Sequence, residues 1–523
     1  MNTLPERRQF FEQTARRFVD YYVGYVEAHE TDYSALEKEM NNVLAALQSA
    51  SKWNIQSARV QGISGLTRVN VGVVGFMDAR GHWRTARELL RSLPQQDDAL
   101  MQAITCFKRG VFAFRQAEHD VAEAHFRQSL SLLNGLPDRE EVILYRAYGG
   151  EFMSQLMMQH DPEVAMDWVQ QGLAALQSLE SEASTHEQGH LYLRLSTTLG
   201  KTGQLVEARE AALKGVALLP PEATAARIGG FTNLGIISRL LGDGAAAMSY
   251  LQKAADDAEA LGENRRLAAL WHNMAIATKH SGHYAQSIEY DQKALKLYQQ
   301  IGDVAAEGHT YSNLGRTYML QGNDQSAGSN LRAALERAQT HQLLDLEAFA
   351  SINLALWHQH QQQFGKAAQL LEPALAICQQ LQLARSVSEI LYMQAELALK
   401  THQHNKALKL ADMSLQTAQQ GGYKKEAGIS WRIKADILST LGDTPQALVA
   451  YQKSLDILVA QDPYELAKSQ LALGRHHLAH QQEESAKRCL EEARLTFNQL
   501  GTKREIAATQ ALLEKACKKP LEL

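Results

Sequence analysis

A small side chain returns at a nearly constant interval along most of this 523-residue chain, and that interval restricts the fold more than anything else in the sequence. Read in one register, the position is held by Ala86, Ala122, Ala165, Ala208, Ala247, Ser287, Ala327, Ala367, Ala407, Ala447 and Ala486, and from Ala208 onward the separations are 39 or 40 residues. A companion series, Gly235, Ala275, Gly315, Ala355, Ala395, Ala435 and Gly474, keeps step with it. Two helices joined by a short turn explain both series. A larger side chain at either position would hold the paired helices apart. The turn between them carries Gly242, Gly282, Gly322 and Gly442, and the boundary after the second helix carries Gly262, Gly302, Gly422 and Gly501. Glycine suits a helix end because it takes the left-handed conformation readily. Asp462-Pro463 stands at that boundary once. His402 and Gln481 replace the turn glycine, and Met153 replaces the small residue of a first helix, so those units are expected to pack or bend differently.

Composition agrees with helices throughout. Gly (34) and Pro (10) are scarce for the length, and long runs of Val, Ile and Thr are missing. A formal net charge of −5 argues against an electrostatic grip on nucleic acid or on an anionic membrane, both of which need a strongly basic face. No stretch has the apolar length of a membrane span, and the N-terminus lacks a secretory core, so a cytoplasmic location is expected. The four cysteines, Cys106, Cys378, Cys489 and Cys517, are dispersed, which argues against a disulfide framework or a zinc site. No cofactor is implied.

The register resembles the tetratricopeptide repeat. That resemblance implies an all-α fold, a right-handed α/α superhelix of about eleven helical hairpins. The common repeat has about 34 residues, so units of about 40 lengthen the helices by roughly 9 Å per hairpin at about 1.5 Å per residue. Repeats of this length are similar to those of kinesin light chains and spindle-orientation adaptors, which are peptide-binding scaffolds. The regular array is expected over 95–510, a first divergent repeat over 51–94, an N-terminal helical segment over 1–50, and a capping helix and tail over 504–523.

The N-terminal segment carries a second resemblance. One helix is expected over 5–29 and another from Ser34 to Ala50 behind a Thr31-Asp32 cap. The pair Tyr21-Tyr22, the run Leu36-Glu37-Lys38-Glu39-Met40-Asn41, and Gly81-His82-Trp83-Arg84-Thr85-Ala86 are similar to the junction after the winged-helix part of bacterial STAND switch proteins of the NB-ARC type. There the repeats serve as the sensor. No Gly-rich phosphate loop of the Walker type occurs in this chain, so the resemblance implies an NTPase module upstream of it.

Recognition candidates follow from the register. Asn233, Asn273, Asn313 and Asn353 fall at one place on four successive first helices. An amide donates and accepts at once, so such a ladder either pairs with an extended peptide backbone or braces neighbouring helices. In the long-repeat scaffolds, asparagines of this kind contact peptide. Arg239, His272, Lys279, Arg316, Arg432 and Arg475, with Glu396 and Asp436 among them, are expected to face the concave groove. Arginines there receive acidic side chains or a carboxylate; the bland alternative is a solvated helix face. His476 and His480 share a helix face at i, i+4 without an evident third metal ligand, and His358 and His360 lie on different faces. The tryptophans Trp53, Trp83, Trp168, Trp271, Trp357 and Trp431 read most simply as packing residues.

No nucleophile, base or metal set sits on a motif that would hold it rigidly, so catalysis is not expected. The leading expectation is a ligand-sensing, protein-interaction solenoid whose groove takes a peptide, a protein or a small effector, as the sensor part of a signalling switch. A constitutive assembly scaffold is the alternative.

Overall fold

The computed structural model describes residues 4–29, 33–53, 98–158, 161–221, 223–459 and 461–517, with residues 55, 77, 86, 88 and 90 between them. The divergent repeat expected over 51–94 lies almost wholly outside the described residues, as do Trp83 and the Thr31-Asp32 cap. Every element among the described residues is an α-helix. The chain divides into two compact units, residues 1–241 and 242–523.

Unit 1 opens with α1 (Leu4–Ala28) and α2 (Tyr33–Lys52), which pack against one another. Val19, Val23 and Val26 of α1 share a buried core with Leu36, Val43 and Leu47 of α2. The hydroxyl of Tyr22 donates to Glu39 Oε2 at 3.2 Å, and that of Tyr25 donates to the carbonyl of Ala35 at 3.0 Å. Three hairpins follow: α3 (Ala99–Arg115) with α4 (His119–Asn134), α5 (Glu140–Met157) with α6 (Pro162–Leu176), and α7 (Glu182–Lys201) with α8 (Leu205–Leu218). The last helix of this unit is α9 (Thr224–Leu240).

Unit 2 begins with α10 (Gly244–Ala260) and continues as six hairpins. These pair α11 (Asn264–His280) with α12 (Tyr284–Ile301), α13 (Val304–Gln321) with α14 (Asp324–Thr340), and α15 (Leu344–His360) with α16 (Phe364–Gln380). They go on with α17 (Ala384–Lys400) and α18 (His404–Gln420), α19 (Lys424–Thr440) and α20 (Thr444–Leu458), then α21 (Pro463–Ala479) and α22 (Glu483–Leu500). A last helix, α23 (Lys503–Cys517), closes the unit. Side chains at the helix starts satisfy the exposed amides: Asp243 accepts from the Ala246 amide at 2.9 Å, and Asn323 from that of Ser326 at 3.1 Å.

The small residues do what their spacing requires. Ala122, Ala165, Ala208, Ala247, Ser287, Ala327, Ala367, Ala407, Ala447 and Ala486 are all 0% exposed. At Gly315 an added Cβ would lie 2.5 Å from Leu331 Cγ on the partner helix, so α13 and α14 are as close as their side chains allow. Met153 is fully buried, and in its repeat the close approach moves one turn earlier: a Cβ on Gly150 would come within 2.9 Å of the Trp168 carbonyl of α6. His402 (φ 60°) and Gln481 (φ 57°) take the left-handed turn that glycine takes at Gly242 (φ 82°) and Gly442 (φ 82°). The turn geometry survives the missing glycine at a cost of about 1 kcal/mol per residue.

Within unit 2 each first helix touches the first helix of the next repeat, from α11 through α13, α15, α17, α19 and α21 to α23. First helices thus form the crowded inner layer, and second helices lie outside it. The layer turns far enough for α23 to meet α13 again. The guanidinium of Arg504 on α23 donates from Nη2 to the carbonyl of His360, at the end of α15, at 2.8 Å. On its other side α23 packs Ile506, Leu512 and Leu513 against Leu490 and Phe497 of α22.

Candidate inner-face ligand site

The inner layer of unit 2 carries two polar networks and a cavity. In the first network the buried carboxylate of Asp291 (0% exposed) is held by His272 Nδ1 at 2.8 Å and by the Asn313 amide at 2.6 Å. Lys279 Nζ donates to the oxygen of that same amide. In the next repeat the amide of Asn353 donates to Ser312 Oγ at 2.9 Å, and its oxygen accepts from Arg316 Nη1 at 2.9 Å. Asn313 and Asn353 are thus buried and engaged at both ends of their amides by neighbouring helices. Asn273 is partly exposed and makes no side-chain hydrogen bond among the described residues. In unit 1, Asn233 donates to Thr197 Oγ1 at 2.9 Å, and burial pushes the Arg239 guanidinium pKa down.

Further along the layer lies a cavity of about 630 Å3, walled by α15, α17, α19 and α21 and by α23, and beside it a smaller one of about 70 Å3 that shares residues with it. The residue after each small residue of the first helices supplies one wall position per repeat: Leu356, Glu396, Asp436 and Arg475. Arg316, at the same register, lines the smaller cavity. Cationic groups on the larger cavity are Lys400, Arg432, Lys468, Arg475 and Arg504, against the carboxylates of Glu396, Asp436 and Glu505.

Arg432 is the buried member of this set, 6% exposed. Its Nη2 donates to Glu465 Oε2 at 3.3 Å, and Lys468 Nζ donates to the other oxygen of Glu465 at 3.2 Å. Burial pushes the Glu465 carboxyl up, but Lys468, Arg432 and Lys425 together bring it down to about 2, so it stays ionised. Nε of Arg432 has no partner among the described residues, and the same holds for His476 Nε2 and Gln359 Oε1 on the same cavity. A buried polar atom without a partner costs about 1–3 kcal/mol, so the residues of this wall carry hydrogen-bonding capacity that the fold leaves unused. Arg475 is exposed and forms no ion pair among the described residues.

Burial dominates the titrations around the cavity. Burial, reinforced by Lys468 and Arg504, pushes His360 down to about 4. Burial likewise lowers His476 and raises Asp436, whose Oδ1 accepts from the Tyr451 hydroxyl at 2.6 Å. Glu505 accepts from the Tyr464 hydroxyl at 2.9 Å.

The structure therefore brings Arg316, Arg432 and Arg475 to one place with Glu396 and Asp436, with Asn353 bonded to Arg316, and leaves His272, Lys279 and Asn313 in the network around Asp291. Sequence reasoning missed Lys468, Tyr464, Arg504, Glu505 and His360. Lys468 and Tyr464 carry no register signal, and Arg504 reaches the site only because the layer turns back on itself. His476 and His480 are otherwise occupied. His476 Nδ1 bonds Ser439 Oγ at 2.6 Å, and the two nitrogens of His480 bond the His476 carbonyl and Thr444 Oγ1, each at 2.9 Å. Trp168, Trp271 and Trp431 pack against core clusters, and Trp357 Nε1 donates to the Asp324 carbonyl at 3.1 Å. Among the described residues no helix is long and apolar enough to cross a membrane.

Two family models described as tetratricopeptide repeat match residues 266–340 and 351–381. The chain is an array of helical hairpins that carries tetratricopeptide repeats. A similar solved structure is that of a Rap protein complexed with competence and sporulation factor, at 14% identity and a TM-score of 0.50, covering 71% of this solenoid and 99% of that chain. Others are the apo form of the quorum sensor NprR from B. thuringiensis (13%, TM-score 0.49, 69% and 100%) and a STAND protein with a tetratricopeptide-repeat sensor from Pyrococcus horikoshii (13%, TM-score 0.44, 80% and 72%). At such identities the likeness is one of fold alone. No curated protein matches the solenoid in sequence.

Proposed function

We propose that this solenoid is a ligand-sensing and protein-interaction module working in the cytoplasm, and that the inner face of unit 2 captures the acidic groups of a peptide, a protein segment or a small effector. The observation that carries the reading is Arg432, buried and charged on the wall of the cavity with Nε unpartnered. Arg475, on the same cavity and without an ion pair among the described residues, offers a second cationic group, and Arg316 a third at the smaller opening. Charge-assisted bonds to a carboxylate or phosphate are about twice as strong as neutral ones, which is why such a ligand wins over an uncharged one here. The Rap protein of similar fold was solved with competence and sporulation factor bound. The array converts capture into a signal because each repeat touches only its neighbours, so small rotations add along it.

The test compares wild type with Arg475→Glu, a change at an exposed residue that leaves the core intact. Ligands retained by each from the source cell's extract are identified by mass spectrometry. The expected result is a species retained by wild type and reduced at least tenfold by the charge reversal; identical retention sinks the proposal. We also propose that α1 and α2, with Tyr21-Tyr22 and the Glu39 contact, form the junction to a STAND-type nucleotide switch. A reading frame with no NTPase module upstream of these helices overturns that part and leaves the scaffold alternative.

A further inference from the structure

Unit 2 closes on itself where the turn of its first hairpin meets the end of α22. Gly282, in the turn between α11 and α12, lies against the end of α22: a Cβ there would fall 2.7 Å from the Leu500 carbonyl oxygen, 2.9 Å from its carbon and 3.0 Å from its Cα. The neighbour is backbone, so a side chain cannot be accommodated by a rotamer change. Gly501 faces the same turn, with a would-be Cβ 3.9 Å from the Gly282 oxygen and from Tyr284 Cε2. Immediately beyond, Arg504 bonds the His360 carbonyl, and Glu505 bonds Tyr464. Both residues also line the ligand cavity.

The first hairpin of the unit and the turn before its last helix therefore meet as a clasp, next to the stretch of α23 that supplies Arg504 and Glu505 to the cavity wall. We propose that this clasp is a two-state gate on the inner-face site: opening it admits the ligand, and ligand contacts with Arg504 and Glu505 hold it closed. The inference rests on the ligand-sensing reading for its purpose, although the gate itself exists without a ligand. A ligand that binds the shut form better shifts the clasp toward it by as much as its affinities for the two forms differ. Among the described residues the clasp consists of the Gly282–Leu500 backbone patch, the touch of α23 on α13 and the bonds of Arg504 and Glu505, which suits a gate that opens without unfolding its repeats.

The test uses two glycines that differ in one respect. Gly282 (φ +79°) and Gly322 (φ +84°) occupy equivalent left-handed turns, but a Cβ at Gly322 has nothing within 4 Å. Gly282→Ala and Gly322→Ala therefore share the backbone strain, and only the first forces the clasp apart. Hydrogen exchange is followed across 500–517, together with amine labelling of Lys468 on the cavity wall. Gly282→Ala is expected to raise exchange there at least tenfold and Lys468 labelling several-fold, with Gly322→Ala within twofold of wild type. Equal behaviour of the two variants overturns the gate. Should Gly282→Ala fail to fold, Arg504→Ala, at an exposed side chain, removes the long-range bond alone. It is expected to move both readings in the same direction by a smaller factor, and no movement again overturns the gate. These readings need no ligand, so a failed gate leaves the Arg475 result standing, and a failed Arg475 result leaves the gate.

Discussion

Removing the amides of the asparagine ladder one at a time separates bracing from binding. Asn313→Ala takes away the 2.6 Å donor to Asp291, a carboxylate with no exposure, and leaves Lys279 without its amide acceptor. A buried group losing a hydrogen-bond partner costs about 1–3 kcal/mol. Asn353→Ala strands Arg316 Nη1 and Ser312 Oγ, each 2.9 Å from the lost amide, and belongs in the same range. Asn273→Ala removes an amide with no hydrogen bond among the described residues, so its effect on stability stays within about 0.5 kcal/mol. Urea unfolding followed by circular dichroism at 222 nm reads the difference. With a slope of about 2 kcal/mol per M, the transition of the first two variants moves down by about 1 M. Because repeat arrays unfold in cooperative blocks, the shift is measured on the transition that involves unit 2. A stability loss for Asn273→Ala as large as that for Asn313→Ala refutes the reasoning. So does a change below about 0.5 kcal/mol for both Asn313→Ala and Asn353→Ala.

Three further outcomes are expected. Gly215→Ala in α8 pushes a Cβ to 2.9 Å from the Gly189 carbonyl, and should destabilise unit 1 by about 1–3 kcal/mol in the same urea assay. His360, pushed down to about 4 from an ordinary 6.5, stays neutral in the fold while the unfolded chain takes up a proton. Its contribution is therefore full above pH 6.5 and is lost as the pH falls toward 4, and His360→Gln should flatten that part of the stability profile in urea melts taken from pH 7.5 to 4. The thiols of Cys106, Cys378 and Cys489 are buried, and burial pushes each one up, so a disulfide reagent should label them at neutral pH only after denaturant is added.

The fold was legible because the repeat is written in residues whose only role is to be small. Ala327 or Ala447 could not be exchanged for a larger residue without separating a helix pair, and their spacing carried the whole architecture. His402 and Gln481 were less legible: a missing glycine suggested a changed turn, yet the flanking helices hold the left-handed conformation regardless. The site was half legible. Glu396, Asp436 and Arg475 share a register and could be grouped from spacing alone. The asparagines share one too, but whether an amide faces a ligand or a neighbouring helix depends on what stands opposite, as the contrast between Asn313 and Asn273 shows. Arg504 and Glu505 could not be found, because their meeting with α15 and α21 depends on the summed rotation of several repeats. No local pattern encodes that sum. The second duty of Gly282 was hidden for the same reason, since its turn already accounted for a glycine.

Open solenoids tolerate gain or loss of a repeat, because no unit depends on how many others there are. The meeting of Gly282 with Leu500 removes that freedom from unit 2. One hairpin more between α12 and α22 would carry the last helix past its seat, and one fewer would leave it short. The contact thus makes the number of repeats a specified quantity, as it is in a closed ring.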